Sequence, residues 1–111
     1  MKLVDIVRAL DLTVGAGRSR LDSEVRGGYT ADLLSCAMAG ARAGDLWITL
    51  QGHLNVVAVA SLNELGAVIV TEGKPVSAEA LNKAEEEGVV ILTTPLKSFE
   101  VCGRLWELGI R

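Results

Sequence analysis

Histidine occurs once in these 111 residues, and cysteine and proline twice each. A lone His53 excludes a multi-histidine metal site. Cys36 and Cys102 stand far apart, form no CxxC pair and fall on apolar helical stretches, so both read as buried free thiols rather than redox partners or metal ligands. Aromatics are few: Trp47, Trp106, Tyr29 and Phe99. No basic stripe interleaves with them, and the net charge is −3, which argues against nucleic acid as a partner. The longest apolar run, Val56–Ala60, is far too short to cross a bilayer, and the first residues lack the apolar core and cleavage site of a signal peptide. A soluble, cytoplasmic protein without membrane contact is expected.

Catalytic signatures are also missing. No GxxxxGK[ST] phosphate loop occurs, because Gly73-Lys74 is followed by Pro75 and lacks the upstream glycine. Gly15-Ala16-Gly17 begins like a dinucleotide fingerprint but has Arg20 where a third small residue belongs, so it reads as a turn. Ser35 or Cys36 would need His53 as a base, and no spacing joins them. Neither an enzyme nor a cofactor is implied.

What is present is a packed core: half of the residues are hydrophobic, mostly Ala, Val and Leu. Three stretches repeat at a spacing of 22 residues: GDLWITL from Gly44, GAVIVT from Gly66 and GVVILT from Gly88, each with a threonine five residues on. Continuous apolar runs of this length predict strands covered on both faces, as in a parallel sheet. The glycines fit the left-handed position that ends a helix. Between the strands, 54–65 is apolar nearly all round, which predicts burial in the core or against a partner. Residues 77–87 begin at a capping Ser77, with Ala80, Leu81 and Ala84 as a narrow stripe and Glu79, Lys83 and Glu85–Glu87 facing water. The last helix, 98–108, places Phe99, Cys102, Leu105 and Trp106 on one side, and Gly109 stops it.

The first half follows the same plan. A helix over 2–10, a short strand at Leu12–Val14, a polar loop at 15–23 and a second short strand at Val25–Gly28 precede a helix starting near Thr30. In that helix Asp32 lies in the first turn, and Leu33, Leu34, Ala37, Met38 and Ala41 face inward. Strand–helix units of this length form right-handed crossovers. The chain thus reads as one α/β domain over residues 1–111, a three-layer sandwich with a mostly parallel sheet of four to five strands flanked by helices.

Ligands of open parallel sheets collect beyond the carboxyl ends of the strands. The candidate ligand-binding residues expected to meet there are Arg26, Gly27 and Gly28; Thr49, Gln51, His53 and Asn55; Thr71 and Lys74; and Thr93 and Thr94. Arg26, His53, Lys74 and Lys97 favour an anion such as phosphate. The same residues have plain structural uses. The glycines suit a tight turn from strand into helix, the threonines can satisfy strand-end backbone groups, and His53 and Asn55 can cap a helix.

EVRGGYTADLLS at 24–35, the strand ending in LQGHLN, the AVIVTEG strand end and ILTTPLKSFEVCGRL together resemble a DRTGG domain over most of the chain. Glu24 and Val25 replace the first two letters of the naming motif, and Arg26 stands where its threonine does. DRTGG domains occur beside CBS nucleotide-sensing pairs in some pyrophosphatases and in front of some phosphotransacetylases, and a related fold forms the N-terminal domain of HPr kinase. The resemblance implies a regulatory domain that senses a nucleotide or phosphorylated metabolite and forms homodimers. The alternative is a ligand-free interaction module for a partner enzyme. The missing phosphate loop speaks against kinase activity.

Overall fold

The computed structural model describes residues 1–111. The elements run α1 (Leu3–Leu10), β1 (Thr13–Ala16), a 3-10 turn at Arg18–Arg20, β2 (Gly27–Thr30), α2 (Leu34–Gly40), β3 (Asp45–Thr49), α3 (Leu54–Leu62), β4 (Ala67–Val70), α4 (Ala78–Glu87), β5 (Ile91–Thr93) and α5 (Ser98–Glu107). One five-stranded sheet has the order β1-β5-β4-β3-β2. Strands β2 to β5 are parallel to their neighbours, and β1 closes one edge antiparallel to β5, with an irregularity between Val14 and Ala16. The mostly parallel three-layer sandwich is the architecture expected from the 22-residue repeat.

Alternation along the strands divides the core in two. Leu46, Ile48, Ala67, Ile69 and Leu92 point to the layer of α1 and α5, where Leu3, Ile6, Leu10, Val101 and Leu105 meet them. Trp47, Val68, Val70 and Ile91 point to the layer of α2, α3 and α4, against Ala37, Val56, Val57, Val59, Ala60, Ala80 and Ala84. Trp47 is fully buried, and its indole N–H donates to the Ala31 carbonyl at 2.8 Å. Burying that ring without a partner for the N–H would carry a desolvation penalty.

Several local expectations shift. Of the three repeat glycines, only Gly88 is a left-handed helix cap (φ 69°); Gly44 (φ 82°) sits in a turn, and before β4 the left-handed residue is Glu64. The second helix starts at Leu34, after Asp32, and buries only Ala37, with Ala41 just beyond it; Leu33 and Met38 are exposed. In α5 it is Val101 and Leu105 that face the sheet, while Phe99 is 91% exposed and Trp106 58%. Of the expected stripe, Leu105 is buried and Cys102 packs half-buried against the core, whereas Phe99 and Trp106 face outward. The thiols are not buried either: Cys36 is exposed and Cys102 half-buried. No helix is long and apolar enough to cross a membrane.

Candidate functional site

The expected site residues divide between opposite ends of the sheet. Strand β2 runs from Gly27 to Thr30, in register with Asp45 to Ile48 of β3. Arg26, Gly27 and Gly28 therefore lie at the amino end of the parallel strands, where the Arg26 N–H donates to the Gly44 carbonyl at 2.9 Å. They start an edge strand rather than turn the chain into a helix. The carboxyl end of β2 carries Asp32 instead.

At the carboxyl rim, Thr49, Thr71, Thr93 and Thr94 do come together, because β3, β4 and β5 end side by side. Their hydroxyls are largely committed to holding loops. Thr49 Oγ1 donates to Asp32 Oδ1 at 3.0 Å and accepts from the Gln51 N–H at 3.2 Å, while the same Asp32 oxygen takes the Leu50 N–H at 2.8 Å. Thr71, fully buried, reaches the Thr49 carbonyl at 3.4 Å and pairs with Ser98 Oγ at 2.6 Å. Thr94 Oγ1 accepts from the Leu96 N–H at 3.1 Å. A buried hydroxyl satisfied in this way is a structural member, and removing it strands its partner.

The helix N-termini at this rim are occupied as well. His53 Nδ1 accepts from the Asn55 N–H at 3.3 Å above α3, and Ser77 Oγ accepts from the Ala80 N–H at 3.1 Å above α4. Above α5, the Glu72 carboxylate reaches across from the β4–α4 loop to the Ser98 N–H at 3.3 Å. Nothing in the sequence around Glu72 announced that role, because its partner lies 26 residues away.

One part of the rim stays open. The loops that leave β4 and β5 are tied to each other, the Glu72 and Gly73 N–H groups donating to the Leu96 and Thr94 carbonyls at 2.9 and 3.0 Å. Beside that tie, next to β5 and β1, lies an open cavity of about 390 Å³, lined by Thr13, Gly15, Gly73, Lys74, Thr93 and Thr94, with Pro75, Val76, Leu81 and Pro95 as its apolar wall. Lys74 is the sole charged residue lining it and makes no ion pair. Thus Lys74, Thr93 and Thr94 share a cavity, whereas Thr49, Gln51, His53, Asn55 and Thr71 stand along the same rim outside it. No group of three His, Cys, Asp or Glu side chains is placed to hold a metal ion.

The molecule is a small α/β layer structure whose rim side chains hold its loops, with one open crevice beside β5 and β1. The chain is a member of the DRTGG domain family, whose sequence profile matches residues 5–108. Its fold is similar to the crystal structure of the CBS and DRTGG domains of the regulatory region of Clostridium perfringens pyrophosphatase, complexed with its activator diadenosine tetraphosphate. The two share 18% identity at a TM-score of 0.72, over 94% of this chain and 45% of the other. The chain thus spans less than half of that regulatory region. No curated protein matches the sequence.

Proposed function

We propose that this chain is a non-catalytic regulatory domain that senses a nucleotide or phosphorylated metabolite at the carboxyl rim of its sheet and works as a homodimer. The observation that carries the ligand is the crevice beside β5 and β1 at the β4–α4 loop, with Lys74 as an unpaired cation near Thr93 and Thr94. Its size falls within the range of small-molecule sites. The similar pyrophosphatase region responds to a dinucleotide, which favours the same class of ligand here. Thr49, Gln51, His53, Asn55 and Thr71 hold the rest of the rim in shape. The unpaired thiols suit a reducing cytoplasm.

The second reading, an interaction module for a partner enzyme, draws on the exposed apolar residues Leu33, Leu54 and Leu62 of the α2–α3 layer. A titration with diadenosine tetraphosphate, AMP, ATP and sugar phosphates, followed by thermal unfolding, separates the two. A ligand at a hundredfold its dissociation constant stabilises by about 2.7 kcal/mol, or about 10 °C or more for a domain of this size. Lys74→Ala is expected to abolish the shift. No shift with any compound, or a shift that survives Lys74→Ala, would count against the crevice.

A further inference from the structure

The opposite end of the sheet holds a cleft with a different chemistry. About 550 Å³ of open space lies beside the start of β2, lined by Arg26, Gly27, Gly28, Arg42, Asp45 and Arg111, with Tyr29 and Gly40 behind them. Arg26, Arg42 and Arg111 line it together with Asp45, on a chain whose overall charge is −3, and the main-chain oxygen of Arg111 lies against Gly27. None of the three arginines makes an ion pair: the four ion pairs of the molecule involve the N-terminus, Lys83 and Arg104. Asp45 is engaged with the backbone, accepting the Arg42 N–H at 2.8 Å. Arg111 is held in place by its Nε–H donating to the Trp106 carbonyl at 3.3 Å and by stacking 5.0 Å from the centre of the Trp106 ring.

Two further features leave the cleft open to an anion. The carbonyls of Ala37, Met38 and Ala41, at the negative end of α2, are taken by the Asn63 side-chain amide at 2.9 to 3.3 Å. Strand β2 is a sheet edge, so alternate backbone N–H groups point away from β3; Gly27 is buried beside Asp45 Oδ1, while Gly28 is exposed. Tyr29 cannot swing across, because its ring packs on Gly40, where an added Cβ would meet it at 2.6 Å.

We infer that this arginine cleft is an anion-binding site separate from the rim crevice, and that it takes a phosphate or pyrophosphate group. A phosphate monoester brings close to two negative charges and three acceptor oxygens, which suits several forked donors at once. The guanidiniums are exposed, so the attraction is screened and weakens as salt rises.

The test is a titration of the isotopically labelled chain with inorganic pyrophosphate, and in parallel with inorganic phosphate, followed by amide and arginine Nε–H resonances. The amides of Gly27, Gly28 and Arg42–Asp45 are expected to shift saturably. Arg26→Ala and Arg42→Ala should each weaken binding about tenfold, and Arg26→Lys less than Arg26→Ala because the charge is kept. Lys74→Ala should leave this titration unchanged. Both arginines are exposed, so an unchanged melting temperature checks that each variant is folded. Absence of saturable shifts in those amides up to about 10 mM would overturn the site. So would shifts indifferent to both arginine variants, or weakening by Lys74→Ala alone, which would leave one anion site at the rim and none here.

Discussion

Asn63 shows how one side chain can hold two neighbouring helices of this molecule together. Its amide donates toward the carbonyls of Ala37 and Ala41 at 3.3 and 3.0 Å, and of Met38 at 2.9 Å, at the end of the seven-residue α2, where only Ala37 also accepts a backbone N–H, that of Ala41. Helix α2 buries little of itself, so this polar tie carries weight that packing carries elsewhere. Asn63→Ala is expected to cost about 1–2 kcal/mol, the penalty of leaving partly buried acceptors unmet. Asn63→Asp should be worse than alanine, since a carboxylate has no donor and sets its charge against three carbonyl oxygens. Urea unfolding of the three proteins orders them: wild type, alanine, aspartate. An aspartate variant as stable as the wild type would mean that the amide contributes nothing.

Elements differ in how plainly the sequence announces them, and the reason lies in what each one buries. Strands β3, β4 and β5 are covered on both faces, so their apolar runs are continuous and repeat visibly. Helix α4 is bounded by signals within its own sequence: Ser77 caps it through Ala80 and Gly88 ends it in a left-handed turn. Ser77→Ala should therefore lower stability by about 1 kcal/mol in thermal or urea unfolding, whereas the exposed Glu86→Ala should stay within about 0.5 kcal/mol. The edge strand β2 gives no such signal. Gly27 and Gly28 carry no side chain to alternate, and only Gly27 is buried, so the hydrophobic Val25 pulls the expected strand two residues early. That small slip reverses the site, because it turns the amino end of the strand into its carboxyl end and moves Arg26 to the wrong rim. The neighbours of Arg26 in its cleft come from distant segments: Arg42 is brought near by the β2–β3 pairing, and Arg111 by the chain beyond α5 that packs against Gly27. Rotation of a helix is equally hidden when apolar residues surround it: α3 and α5 were legible as helices, but not which of their faces met the sheet.

At the scale of the whole molecule, α2 and α3 carry apolar residues on their outer side as well as in the core, while α4 turns Glu79, Glu85 and Glu86 to water. Val56, Val57, Val59 and Ala60 of α3 fill the core, yet Leu54, Ala58 and Leu62 follow one another at spacing four along its outer side. Leu62 is 69% exposed and Leu33 64%, with Met38 half-exposed beside them on the same layer. A helix with this second apolar face is expected to cover it with a partner, and the proposed homodimer would place another copy there. Leu62→Glu separates association from folding, because an exposed position should change monomer stability by no more than about 0.5 kcal/mol. Light scattering is expected to give the mass of two chains for the wild type and of one for Leu62→Glu, with melting curves that differ only through the lost dependence on protein concentration. A wild-type chain still monomeric at about 100 µM, where even a micromolar dimer is filled, would remove the homodimer. A Leu62→Glu protein that stays dimeric while Phe99→Ser becomes monomeric would move the contact to the flank of α5, where Phe99 and Trp106 stand exposed.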